Sequence, residues 1–251
     1  MSKAETAIDG VRVRLALDAV RAQIARALAD STRQATDITI VAVTKGFGAE
    51  AINAAFAAGL TDIGENYFQE AAAKFPQAAW PLFPVRRHFI GRVQRNKARR
   101  IASLFDVVQT VEDAAVAAGL DAGAAASGKV LDVLIQANVA ADDRQGVSAQ
   151  QIPQLAAQLA AFKHLRLRGL MAIGPQDSGK AAEAFSRACV LYETLQQSNP
   201  DIRMLSIGMS GDIDAAVRAG ATTLRLGTAL FGQRPNKSVN HQSQTASMRE
   251  G

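Results

Sequence analysis

Short apolar segments alternate with alanine-rich segments along nearly the whole chain, and this alternation restricts the possible folds more than any other feature. The first apolar segment, "IVAVT", is apolar or β-branched at every position, which is typical of a parallel strand covered by helices on both faces. Eight such segments occur, at 38–45, 61–66, 87–91, 106–111, 129–139, 165–174, 203–210 and 222–232. Alternating strands and helices predict a parallel sheet, and a count of eight favours a closed barrel over an open doubly wound sheet.

We therefore predict an α/β fold consisting of a single (β/α)8 TIM-type barrel with an extra N-terminal helix. The length of 251 residues is normal for one such barrel. The extra helix is amphipathic and extends to about Asp30. We expect the barrel domain to occupy residues 1–234, and we expect the polar, aperiodic segment 235–251 to be a disordered tail.

Composition narrows the class of protein. Cys189 is the only cysteine, so no disulfide can form within one chain, and we expect a cytoplasmic location. No segment reaches the roughly 18–20 apolar residues of a spanning helix, so we expect no membrane association. The three histidines, His88, His164 and His241, are scattered along the sequence, so we expect no metal site. The net charge of +5 is mild and would suit a phosphorylated or carboxylated ligand.

The carboxyl ends of the strands are where a barrel of this kind places its site. Lys45 ends the first predicted strand, and the other ends contribute small hydrogen-bond donors, glycines and one arginine. The residues at these ends include Asn66, His88, Ser210, Gly211, Arg225, Gly227 and Thr228. The set contains one amine and many donors, but no pair of acids at a spacing typical of catalysis.

Two of these strand ends suit a phosphate group. In "SIGMSGD", Ser210 and Gly211 precede a helix that we expect to start near Asp212, where main-chain N–H groups favour an anion. In "LRLGTALFG", Gly227 and Thr228 follow the last strand, and barrels frequently bind phosphate after strands 7 and 8. The alternative is purely structural, since serine and aspartate also cap helices and glycine allows close packing.

A phosphate site combined with a lysine on the first strand suggests pyridoxal 5′-phosphate (PLP) as the cofactor. The aldehyde of PLP reacts with a neutral amine, and burial at an apolar strand end lowers the pKa of a lysine. Lys45 directly follows "IVAVT" and meets this condition. The alternative is that Lys45 is an ordinary solvated lysine at the end of a strand.

Six motifs in order resemble the pyridoxal phosphate homeostasis protein family, relatives of the N-terminal barrel of alanine racemase. They are "VAVTKGF", "DIGENYFQE", "HFIGRVQRNK", "GLMAIG", "LSIGMSGD" and "LRLGTALFG". The resemblance implies a fold-type III PLP barrel in which Lys45 holds PLP as a Schiff base. It implies that Ser210, Gly227 and Thr228, with the backbone around Gly211, hold the phosphate. It also implies that Arg225 faces the pyridine nitrogen and that Asn66, His88 and Met209 line the pocket.

The resemblance also implies a binding role without catalytic residues. An arginine opposite the pyridine nitrogen disfavours its protonation, which weakens the electron sink. Related racemases use a second base, a tyrosine from another domain, whereas this chain has only Tyr67 and Tyr192. We therefore predict a monomer that stores PLP or delivers it to apo forms of PLP-dependent enzymes. Arg92 and Arg144 depart from the family pattern, and Arg144 stands where the family has a lysine.

Three other functions compete with this interpretation. The first is a PLP-dependent racemase-like or decarboxylating enzyme that uses Lys45. The second is a nucleic-acid binder, suggested by the basic run from Arg86 to Arg100. This run has only one aromatic residue, Phe89, and its helical half, from Gln94 on, is more typical of a solvated basic face. The third is a barrel that binds a phosphosugar without an amine linkage.

Overall fold

The computed structural model describes residues 8–139, 145–175 and 177–234. These residues contain β1 (Thr39–Val43), β2 (Asp62–Glu65), β3 (Arg86–Phe89), β4 (Val107–Val111), β5 (Leu131–Ala137), β6 (Leu165–Ala172), β7 (Met204–Ser206) and β8 (Thr223–Leu226). The helices are α1 (Gly10–Ala27), α2 (Ala49–Ala57), α3 (Phe68–Lys74), α4 (Ala98–Leu104), α5 (Ala114–Ala126), α6 (Ile152–Leu159), α7 (Ala181–Ser198), α8 (Ile213–Arg218) and α9 (Thr228–Phe231).

The strands form a closed parallel barrel, as the sequence predicts. They pair in chain order, and β8 also pairs with β1. Val41 of β1 lies between Asp62 of β2 and Arg225 of β8. Parallel neighbours need a crossover connection, and a helix from α2 to α8 lies between each pair of consecutive strands. The predicted (β/α)8 architecture is confirmed.

The extra N-terminal helix is present as α1, although it ends at Ala27 rather than near Asp30. Its buried residues are Val13, Leu17, Val20 and Ile24. Spacings of three and four residues place these side chains on one face of the helix. This face packs against α2, α8 and α9, so α1 connects the first and last units of the barrel.

The inside of the barrel contains both apolar and polar side chains. Leu134, Met171 and Met204 form a small apolar cluster that is separate from the main core between strands and helices. Polar side chains from β2, β3, β4, β7 and β8 are buried as well: Asp62, His88, Gln109, Ser206 and Arg225. Barrel interiors are usually filled by bulky branched residues, so this polar group needs an explanation.

The last two strands end earlier than the sequence predicts. β7 ends at Ser206 rather than Ser210, and the segment that follows β8 is the short helix α9. Gly208 explains the early end of β7, because its φ of +92° is a conformation that favours glycine. A Cβ atom there would lie 2.4 Å from the Cβ of Ala216. The residues after Gly208 therefore form a loop at the rim of the barrel.

Some sequence predictions fall on parts of the chain outside the described residues, namely Arg144 and the tail 235–251. In the part of the chain that is described, no helix has the length and apolar character needed to cross a membrane. The same residues contain no group of three or more histidine, cysteine, aspartate or glutamate side chains placed to hold a metal ion. Cys189 of α7 is half-buried and has a free thiol.

Candidate functional site

A cavity of about 240 Å³ lies at the carboxyl ends of β1, β7 and β8, the end of the barrel where the sequence predicts a site. Seven of the nine predicted site residues lie in its wall: Lys45, Met209, Ser210, Gly211, Arg225, Gly227 and Thr228. The segments that contain them are far apart in the sequence. They meet because β8 pairs with both β1 and β7.

Lys45 is positioned by the end of β1 and by the turn that follows it. The N–H of Thr44 donates to the carbonyl oxygen of Gly64 at 3.0 Å, which continues the pairing of β1 with β2. Gly46 then adopts a φ of +79°, a conformation that favours glycine, and the chain turns at this position. Lys45 is thus held between a paired strand and a tight turn, where its side chain is partly buried.

The surroundings of Lys45 favour its neutral amine. Burial lowers the pKa of Lys45 below its ordinary value, and the positive charges of Arg234 and Arg225 lower it further. The carboxylates of Glu70 and Glu65 act in the opposite direction but do not outweigh these effects. Within the described residues, the amine of Lys45 makes no hydrogen bond or ion pair. Lys45 is therefore suited to act as a nucleophile.

A second lysine, Lys74, lies under the same turn but is fully engaged. Its amine donates to the carbonyl oxygen of Thr44 at 2.8 Å, to Glu65 at 2.6 Å and to Glu70 at 2.9 Å. The same Glu70 oxygen accepts the main-chain N–H of Gly46 at 2.5 Å. Because its side-chain nitrogen donates to three acceptors, Lys74 anchors the turn.

The loop after β7 and the start of α9 offer donors for an anion. The main-chain N–H groups of Ser210, Gly211 and Thr228 find no acceptor within the described residues. The hydroxyl oxygen of Ser210 accepts the N–H of Ala229 at 3.0 Å, which joins the loop to α9. A Cβ atom on Gly211 would meet no heavy atom within 4 Å, so there is open space beside these donors. Main-chain donors grouped in this way suit a phosphate oxygen.

Arg225 places a buried positive charge in the cavity wall. Its side chain is buried, and its guanidinium donates to the carbonyl oxygen and hydroxyl of Ser206 at 2.7 and 2.8 Å and to the carbonyl oxygen of Ala172 at 2.9 Å. Burial lowers the pKa of Arg225 to about 10, and Asp212 acts in the opposite direction. Arg225 therefore stays charged at neutral pH although all of these acceptors are neutral.

The other two predicted site residues lie outside this cavity. Asn66 lines a neighbouring cavity of about 440 Å³ that shares the side chain of Ile90 with the first. His88 is fully buried inside the barrel, where its ring nitrogens contact Asp62 at 2.8 Å and Gln109 at 2.9 Å. The structure does not place Asn66 and His88 with Lys45, so their assignment to the cofactor stays a prediction.

Sequence reasoning missed four residues of the cavity wall: Val43, Phe47, Ile90 and Arg234. The three apolar residues look like ordinary core residues in the sequence, and only their positions near strand ends hinted at a site. Arg234 lies at the edge of the predicted tail. Its side chain packs over the turn after Lys45, since a Cβ atom on Gly46 would lie 2.9 Å from its Cδ.

The parallel barrel, the lysine after its first strand and the donors after its last two strands together define a class of proteins. A family model for the alanine racemase N-terminal domain matches residues 15–235 of the chain. An alanine racemase from Clostridium difficile has the same fold, with a TM-score of 0.70 at 14% identity. The alignment covers 92% of this chain and 58% of that chain, and at this identity the likeness supports the fold alone.

The chain belongs to the pyridoxal phosphate homeostasis protein family. A member from Pseudomonas aeruginosa is 41% identical over 218 residues, which cover 86% of this chain and 93% of the relative. A member from Escherichia coli is 37% identical over 219 residues, with 86% and 94% covered. The structure of PipY from Synechococcus elongatus with PLP bound is 34% identical, with a TM-score of 0.72, and covers 83% of this chain and 100% of that chain. The resemblance seen in the motifs is confirmed.

Proposed function

We propose that this protein binds PLP in the cavity at Lys45 and acts in PLP homeostasis by storing or delivering the cofactor. The observation that carries the proposal is the meeting, in one cavity, of an amine with a lowered pKa and a group of anion donors without acceptors. The described residues fit PLP, which has an aldehyde and a phosphate. The names of the relatives and the PLP bound to PipY support the same function.

Lys45 is the residue that would hold PLP covalently. Bound PLP supplies an aldehyde, which condenses with a neutral primary amine and releases one water molecule. Burial and two neighbouring arginines favour the neutral form of the Lys45 amine. Lys74 is close but donates three hydrogen bonds, so it is not a rival for the aldehyde.

The remaining wall residues would orient the cofactor. Ser210, Gly211 and Thr228 would hold the phosphate through hydroxyl and main-chain N–H groups. Gly227 keeps this end of β8 close to β1, because a Cβ atom there would lie 3.3 Å from the carbonyl oxygen of Val43. The exposed side chain of Met209 lies at the open side of the cavity.

Arg225 would face the pyridine nitrogen of PLP. Its guanidinium is charged and fixed by three hydrogen bonds, so it disfavours a proton on a neighbouring ring nitrogen. A ring without that proton draws electrons less strongly from a bound amino acid. This arrangement favours holding the cofactor over chemistry on a substrate.

We further propose that the protein does not turn over a substrate. Racemisation by two bases needs a second acid or base opposite the lysine. Among the described residues of the cavity wall, the titratable ones are Lys45 and two arginines, Arg225 and Arg234. Tyr67 is exposed beside the neighbouring cavity, and Tyr192 is buried in α7, where its hydroxyl accepts from Gln196.

The cellular setting is part of the same proposal. We propose a monomer on the basis of the family resemblance, and a cytoplasmic location because the single cysteine, Cys189, is a free thiol. Apo forms of PLP-dependent enzymes would be the recipients of the cofactor.

The function is tested by measuring delivery and turnover on the same preparation. Protein loaded with PLP and freed of excess cofactor is mixed with an apo PLP-dependent enzyme, and recovered activity is followed. Exchange of the α-proton of alanine in D2O is measured by NMR in parallel. We expect the apo-enzyme to regain activity in a way that depends on Lys45. We expect the α-proton of alanine to exchange no faster than with free PLP. Exchange well above this background, lost in Lys45→Ala, would instead establish the racemase-like enzyme.

A further inference from the structure

Five buried polar side chains form one continuous chain of hydrogen bonds across the inside of the barrel. The chain starts at Asp62 of β2, whose carboxylate contacts His88 of β3 at 2.8 Å. His88 contacts Gln109 of β4 at 2.9 Å, and Gln109 contacts Ser206 of β7 at 2.7 Å. Ser206 contacts Arg225 of β8 at 2.8 Å. The chain thus ends at a residue in the wall of the cofactor cavity.

The hydrogen bonds in this chain all point the same way. Arg225 donates to the hydroxyl of Ser206, whose own proton goes to the side-chain oxygen of Gln109. The amide nitrogen of Gln109 donates to Nδ1 of His88, which leaves Nε2 of His88 to donate to Asp62. A carboxylate lies at the accepting end and a guanidinium at the donating end, so the charges match the direction of every bond.

The buried polar groups of this hydrogen-bond chain are fully paired, and the loss of any one of them would be destabilising. His88, Gln109 and Ser206 are completely buried, and none of the buried side-chain nitrogen and oxygen atoms of the five residues lacks a hydrogen-bond partner. A buried polar network is favourable only when every member is paired, so losing one member exposes the others to the full desolvation penalty. Apolar residues fill this space in most barrels and would satisfy the fold more simply. Because Arg225 lies at one end of the hydrogen-bond chain and in the cavity wall, we expect the hydrogen-bond chain to affect the site as well as stability.

Arg225 depends on this chain for its position. Within the described residues its guanidinium makes no ion pair, and two of its three hydrogen bonds go to Ser206. The Ser206 hydroxyl is fixed in turn by Gln109. At the other end, Asp62 is fixed by Arg86 at 2.8 Å. Burial alone would raise the pKa of Asp62, but the hydrogen bond from His88 and the charge of Arg86 keep it below its ordinary value.

We propose that Ser206 and Gln109 are positioning residues for Arg225, and that the hydrogen-bond chain back to Asp62 sets where the guanidinium meets the cofactor. The proposal rests on the proposed PLP site for the last step only. The hydrogen-bond chain consists of protein side chains alone. Its effect on Arg225 can therefore be tested separately from PLP binding.

The first measurement uses the protein without PLP. The guanidinium ¹H–¹⁵N signals of Arg225, assigned with Arg225→Lys, are compared among wild type, Gln109→Leu and Ser206→Ala. Gln136→Leu is the matched control, because Gln136 is a buried glutamine inside the same barrel that takes no part in the hydrogen-bond chain. We expect the Arg225 signals to shift or broaden in the first two variants and to stay in place in the control. If Gln109→Leu does not fold, Ser206→Ala carries the test, since it removes one hydroxyl and adds no bulk.

The second measurement uses protein loaded with ¹⁵N-pyridine-labelled PLP. We expect Gln109→Leu and Ser206→Ala to move the ring ¹⁵N signal and weaken PLP binding several-fold, while Gln136→Leu does neither. Variants that lose thermal stability but keep both the Arg225 and ring signals of wild type would overturn the proposal and leave the chain a structural network. Wild type that binds no PLP while its Arg225 signals respond to Gln109→Leu would refute the proposed function alone.

Discussion

Lys45 shares its cavity with two arginines, and this separates it from an ordinary lysine at the end of a strand. Burial disfavours its charged form, and Arg234 and Arg225 add repulsion at the same site. The acidic residues nearby are partly occupied, because Glu70 and Glu65 both bond to Lys74. The chemistry of the site therefore depends on charges placed around one amine.

Replacing Arg234 should make Lys45 less reactive near neutral pH. Arg234→Ala removes a positive charge that disfavours the ammonium form, so the pKa of Lys45 should rise. Less neutral amine is then present at a given pH, and the rate of attachment should fall several-fold at pH 7. The rate rises with pH until the pKa of Lys45 is passed, so the midpoint of the profile should move to higher pH.

This prediction is checked by stopped-flow absorbance between about pH 6 and 10, with pyridoxal as the aldehyde so that phosphate contacts play no part. Arg234→Lys is the control, because it keeps the positive charge and should keep the midpoint close to that of wild type. An unchanged or lower midpoint in Arg234→Ala would contradict the electrostatic account of Lys45.

At the scale of elements, a buried ionic cluster ties α3 to the end of β1. Lys74 of α3 is 5% exposed and Glu65 of β2 is fully buried. The cluster reaches the turn after Lys45 through the carbonyl oxygen of Thr44 and the N–H of Gly46. The position of Lys45 therefore depends on the ion pair between Lys74 and Glu65.

Removing only one partner of this buried ion pair should lower the free energy of unfolding. Lys74→Met leaves the buried carboxylate of Glu65 without its partner, and such a loss costs about 3–5 kcal/mol of unfolding free energy. The double variant Lys74→Met/Glu65→Leu should recover most of this loss, because apolar replacement of both partners is often neutral. The exposed pair of Arg95 and Asp113 is the control, and Arg95→Met should cost less than about 1 kcal/mol.

Urea unfolding measures all of these variants on one scale. A single variant as stable as wild type, or a double variant no more stable than the single one, would show that the cluster does not hold this region together. PLP attachment should also slow in Lys74→Met, because the turn at Gly46 loses the partner that fixes Glu70.

The elements could be predicted from the sequence because buried parallel strands are apolar on both faces, a pattern visible in "IVAVT" and in the later segments. The ends of the strands could not be predicted from the sequence, because they depend on local packing. At the end of β7, for example, the φ of Gly208 depends on how tightly α8 and β8 pack around it. The sequence also does not reveal that Ile90 lies in the cavity wall or that Gln109 bonds to Ser206. These contacts join strands that are not neighbours in the sequence, and no local pattern records them.

For the molecule as a whole, the proposed monomer has a direct consequence for PLP binding. We expect one PLP per chain, bound with an affinity that does not change over a hundredfold range of protein concentration. Analytical ultracentrifugation and spectroscopic titration check this together. An affinity that rises with protein concentration would show that a second copy completes the site. The exposed apolar side chains before β3, Trp80, Leu82 and Phe83, would then be the first surface to alter.

We propose that Lys45, which follows the first strand of this barrel, holds PLP. The most direct test is to reduce the PLP-loaded protein with borohydride and map the modified peptide by mass spectrometry, with folded Lys45→Ala treated in the same way. We expect a pyridoxyl group on Lys45 and no stoichiometric pyridoxyl label in the variant. A label on Lys74 or on another lysine, or no label on the wild-type protein, would contradict it.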